Sequence, residues 1–178
     1  MGQSVTLYRV GKHEFRQLEQ SAGRQQFEVS AAKNHVTFQG SFMGLEYVLS
    51  KGQDDSTVEL VRGIFSPNQS LGGKDIEQLT LEEQFEFYES GGLVSYLGID
   101  VISKLDTLFD TISAAEISER YDADEFNANG IYPEVWHKDN SADLGFNEMH
   151  LLTDFADLKS MIRQARNEQD YILVFCGE

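Results

Sequence analysis

The sequence predicts an α+β fold, a single compact domain over residues 1–178 in which a mixed or antiparallel sheet carries several short helices packed around it. Three observations lead there. The chain opens on an alternating run, SVTLYRV at 4–10, and its last apolar segment, Tyr171–Phe175, is apolar on both faces, as in a central strand. Between them, Val101, Ile102, Leu105, Leu108, Phe109 and Ile112 recur at the spacing of one buried helical face. A chain of 178 residues is also long enough to bury a core without disulfides or metals.

Taken in order, Gly11 ends the first strand, and Phe15 and Leu18 place a helix over 12–21. Short strands are expected at 26–29 and 35–38. Phe42, Leu45, Val48 and Leu49 define a helix over 41–50, whereas the β-branched and aromatic run TVELVRGIF at 57–65 predicts a strand. Thr80 with Glu83 forms a capping box opening a helix over 81–89. After the helix of 99–112, Ser113 with Glu116 opens a short helix, and Asp122 with Glu125 opens another that Gly130 ends. Phe155, Leu158, Ile162 and Ala165 form the stripe of a last helix over 154–167, with acidic groups in its first turn and Arg163 and Arg166 in its last.

Charge restricts the classes of partner. Thirty acidic residues against fourteen basic ones leave a formal charge of -16, which disfavours nucleic acid and anionic membrane surfaces. The excess is uneven: residues 1–50 are nearly balanced, and residues 75–125 hold fourteen carboxylates against Lys104 and Arg120. A single cysteine, Cys176, and the lack of an apolar leader or a run of about 20 apolar residues point to the cytoplasm.

From Gly92 to Phe175 the chain resembles the YfbM-like family of unknown function. The marks are Tyr96-Leu97 in the loop before the long helix, the run Ser113-Ala-Ala-Glu-Ile-Ser-Glu-Arg-Tyr-Asp, the string Gly130-Ile-Tyr-Pro-Glu-Val-Trp136, and a closing helix and strand with Phe155, Leu158 and Ile172-Leu-Val-Phe175. The resemblance implies a compact α+β fold and a bacterial origin, and it implies no activity or cofactor. It thins in the N-terminal half. Where such domains tend to carry Trp-His-Gly and a nearby His, this chain reads Phe42-Met43-Gly44-Leu45-Glu46.

The residues show no catalytic or metal-binding signature. His13, His35, His137 and His150 stand in no recognisable motif, and Cys176 follows apolar strand residues that suggest buried filler. Asp122 to Asn127 lacks the glycine of a calcium loop, one cysteine with scattered histidines gives no zinc spacing, and no glycine-rich phosphate cradle is present. No cofactor is expected. Tyr96, Tyr132 and Trp136 could line a small-molecule pocket, with His137 or His150 as a base, although such rings are more often core.

The acidic surface is the feature that folding explains least. Glu82 with Glu86, and Asp106 with Asp110, stack like charges four residues apart on helical faces expected to be exposed, which costs about 0.2–0.5 kcal/mol per pair. With Glu119 they form the expected docking face of a non-enzymatic module for a basic protein partner, in the manner of an immunity or antitoxin protein occluding a toxin. The alternatives are a small-molecule-binding protein or minor enzyme using the aromatic pocket, or a housekeeping protein whose acidity serves solubility.

Overall fold

Among the described residues, five strands hydrogen-bond side by side, each antiparallel to its neighbours, in the order β2-β1-β5-β4-β3. They are β1 (Ser4–Val10), β2 (Asn34–Gln39), β3 (Ser70–Leu71), β4 (Val94–Leu97) and β5 (Tyr171–Gly177). The structure is a computed structural model, and residues 3–21, 27–71, 80–82 and 94–177 are described. The C-terminal strand sits at the middle of the sheet, which is why it is apolar on both faces.

Strand register sorts the side chains into two cores. Leu7 lies opposite Val174, and with Val5 and Ile172 these residues face the larger cluster. The next pair, Tyr8 and Leu173, faces the other way, where Phe15 and Leu18 of α1 (Lys12–Ser21) cover it. At the end of β1, Arg9 is buried and tied to Asp170 at 3.2 Å and Glu168 at 3.0 Å, and Lys33 bonds the same two carboxylates.

The larger core is roofed by α2 (Phe42–Ser50), α3 (Asp55–Phe65), α4 (Ile99–Asp110), α5 (Ala114–Arg120), α6 (Ala123–Ala128) and α7 (Glu148–Glu168). Ile102, Leu105 and Phe109 of α4 are fully buried, each worth about 2 kcal/mol relative to exposure. The capping box of Ser113 and Glu116 closes in both directions, at 3.2 and 2.8 Å. Asp122 caps α6 through the amides of Asp124 and Glu125.

Several expectations are corrected. Residues 57–65 form most of α3, a helix rather than a strand: Asp54 accepts from the Thr57 amide at 2.8 Å, and Val61, Ile64 and Phe65 are buried on one helical stripe. The cap and the three-to-four-residue spacing outweigh the β-branched composition. Within 26–29 no strand forms in the described residues, and Val29–Ala31 is a single 3₁₀ turn. Tyr96 and Leu97 belong to strand β4 rather than to a loop. The last helix starts six residues earlier than expected, because Asn147 caps it, accepting from the His150 amide at 2.9 Å. Cys176 is exposed rather than buried. The expected helix over 81–89, with Glu83 and Glu86, lies largely outside the described residues.

Candidate functional site

The expected docking carboxylates of α4 are engaged inside the molecule. Asp106 is buried, 1% exposed, and receives Arg163 Nε at 2.6 Å and Arg166 Nη1 at 3.0 Å. Asp110 is exposed and also binds Arg163. The stacked like charges are therefore a clamp for cations of α7, and hydrogen bonds to Asp106 and then Asp110 hold the Arg163 guanidinium above its ordinary pKa. The expectation of an exposed Asp106 is corrected. Glu82 and Glu119 are exposed, and Glu86 lies outside the described residues.

The three aromatic residues do not line one pocket. Trp136 is 3% exposed in the larger core, and Tyr96 packs in the smaller cluster against Phe15, with ring centroids 4.9 Å apart. Tyr132 is half-buried, and its hydroxyl accepts from the Gln3 amide at 3.2 Å. Tyr96 contributes instead to a groove of about 500 Å³ bordered by α3, Gln69 and Val101.

Of the candidate bases, His137 is exposed. His150 Nδ1 accepts the Phe146 amide at 2.9 Å, so its ring proton sits on Nε2, 3.7 Å from Asp154 Oδ2. Ser41 is fully buried beside Asp154, close enough to favour the carboxylate but not in hydrogen-bonding geometry. Serine, aspartate and histidine thus meet in the wrong order for a nucleophile, with the carboxylate between the other two and the hydroxyl sealed from solvent. Among the described residues, no three His, Cys, Asp or Glu side chains converge to hold a metal ion.

A more organised surface element is the loop from Ile131 to Asn147. The Asn147 side chain is buried and donates to the carbonyls of Asp139, Ser141 and Leu144 at 2.9–3.1 Å. The His137 amide donates to Phe146 O at 2.8 Å across the neck, and Tyr121 Oη donates to His137 O at 2.7 Å. One asparagine replaces the ladder hydrogen bonds a loop lacks, so the loop keeps its shape while facing solvent. It exposes Val135 and Leu144, and Met149 follows in the first turn of α7. From 121 to 157 the chain carries nine carboxylates and one lysine, Lys138, which pairs with Asp124. Burial, then the charges of Glu148 and Asp122, push the Tyr121 phenol up to about 12.

A second concavity, of about 550 Å³, runs between α2 and α3. Met43, Glu46, Tyr47 and Ser50 form one wall at helical spacing, and Val58, Arg62 and Phe65 form the other. Ile131 and Cys176 also border it. Sequence reasoning missed this groove because it requires α3 to be a helix; the spacing of 58, 62 and 65 was the available signal.

Residues 1–175 match the model of a family described as Domain of unknown function (DUF1877). The chain belongs to the DUF1877 family. Its fold is similar to that of YfbM from Escherichia coli, a protein of unknown function whose crystal structure aligns over 98% of both chains with a TM-score of 0.58 and 15% identity. No curated protein matches the chain. The family match covers the N-terminal half as well as the C-terminal half that carries the sequence resemblance.

In this DUF1877 chain the string from Gly130 to Trp136 anchors the loop to the core. Trp136 Nε1 donates to Ile131 O at 2.8 Å, and the Asn127 side chain grips the Trp136 amide and carbonyl, each at 2.9 Å. The most specific part of the resemblance is therefore a packing device. Met43 and Glu46, which stand where a Trp-His-Gly pattern and its nearby His are expected, line the groove between α2 and α3. Among the described residues no helix is long and apolar enough to cross a membrane.

Proposed function

We propose that this protein is a non-enzymatic binding module that captures a basic protein partner, in the manner of an immunity or antitoxin protein that covers a cationic cleft. One observation carries the reading: a hydrogen-bonded loop presents exposed Val135 and Leu144, with exposed Met149 just beyond it on α7, among the carboxylates Glu134, Asp139, Asp143 and Glu148. Apolar tips supply the contact that persists in a complex, while the surrounding negative charge accelerates encounter with a cationic surface. The pre-formed loop lowers the ordering cost of association.

On this reading the docking face is the Ile131 to Asn147 loop and the start of α7, rather than Asp106 and Asp110, whose charges the arginines of α7 already meet. The test is a paired pull-down from the source organism, with wild type and the variant Glu134→Lys, Asp143→Lys, Glu148→Lys as baits at low and high salt. A basic protein held by wild type, released by salt and lost from the variant supports the reading. Equal capture by both baits rejects it.

A further inference from the structure

We propose that the groove between α2 and α3 binds a small apolar cation, a primary ammonium group carried on an aromatic or branched alkyl body, with Glu46 as its counter-ion. The inference is independent of the protein-docking reading.

The groove holds a carboxylate with too little positive charge around it. The Glu46 side chain is only 29% exposed, and its cationic neighbour Arg62 stands off at 3.7 Å with 64% of its own side chain in solvent. An ion pair of that length and exposure compensates little. Burial pushes the Glu46 carboxyl up, and Arg62 opposes the shift only in part. A partly buried carboxylate whose cation stands 3.7 Å away and mostly in solvent fits the N–H-rich head of a primary ammonium.

The remaining wall selects the body of the ligand. Phe42 and Phe65, with ring centroids 5.7 Å apart, line the groove with Val58 and Ile131. A volume of about 550 Å³ suits a molecule larger than an ion, since ligand sites span about 300–1,000 Å³. An anionic ligand would place like charge beside Glu46, and a neutral one would cover the carboxylate without replacing its lost hydration. An ammonium does neither.

Cys176, the chain's one cysteine, borders this groove and is exposed, so it reports occupancy. The experiment follows alkylation of Cys176 in the full chain by iodoacetamide, read by intact mass, with phenethylammonium, 2-phenylethanol or 3-phenylpropionate at increasing millimolar concentrations. Phenethylammonium is expected to slow alkylation saturably, at concentrations about tenfold below those needed for the neutral alcohol, with no protection by the anion. Glu46→Gln should erase the preference for the ammonium. Equal protection by all three compounds, no protection by phenethylammonium, or an undiminished preference in Glu46→Gln overturns the proposal. If Glu46→Gln alkylates at a different rate without any probe, the three-compound comparison on the unaltered protein decides alone.

Discussion

The indole of Trp136 closes against the backbone of Gly44: a β-carbon built at Gly44 would sit 2.3 Å from both Cη2 and Cζ2 of the ring. The indole cannot withdraw, because Phe126 and Phe146 pack edge-on against it and its Nε1 is bonded to Ile131 O. Gly44→Ala is therefore expected to destabilise the fold by about 3 kcal/mol, the upper part of the overpacking range. Chemical denaturation measures this directly. A cost below about 1 kcal/mol would mean the indole has room to move.

That contact also marks what could be read before the structure. Gly44 and Trp136 both stood out in the resemblance, yet nothing in the sequence joined residues 92 positions apart, because pairing across that distance is a property of packing. Caps were legible: Ser113 with Glu116 and Asp122 with Glu125 act within four residues, so their geometry is written locally. The run 57–65 reads as a strand on its β-branched composition, and the Asp54 cap that makes it a helix lies just before the run. Asp106 reads as exposed for the converse reason, since its partners Arg163 and Arg166 lie more than fifty residues further along the chain.

Asp106 supplies the second prediction. Replacing it with Ala removes charge-assisted bonds to two arginines, with an expected stability loss of about 2 kcal/mol. The same substitution should leave the rate of partner capture unchanged in the folded fraction. Measuring stability and association on one preparation separates its structural role from a docking role.

Asp154 gives a prediction in pH. Burial raises its folded pKa, with the Ser41 hydroxyl and then His150 opposing the shift. A raised folded pKa means the native state holds its proton more tightly, so this contribution to stability is fully present below the unfolded carboxylate range and is lost as pH rises through the folded value. Asp154→Asn should be the more stable protein at neutral pH, with the difference shrinking as pH falls through the carboxylate range. Thermal denaturation across that range checks the sign. A variant less stable than wild type at neutral pH would show that the ionised carboxylate is held favourably.

At the capping box, Ser113→Ala removes the acceptor for the Glu116 amide and should cost about 1 kcal/mol. Ser113→Thr, which keeps both the acceptor for the Glu116 amide and the hydroxyl that donates to the Glu116 carboxylate at 3.0 Å, should recover most of it.

Association kinetics of the captured partner, followed against ionic strength for wild type and for Glu134→Lys, Asp143→Lys, Glu148→Lys, tests the central claim most directly. The docking reading predicts that wild type associates fast at low salt and slows steeply as salt is added, while the variant associates slowly with little salt dependence and a similar dissociation rate. Matching association rates and salt slopes for the two proteins would contradict it.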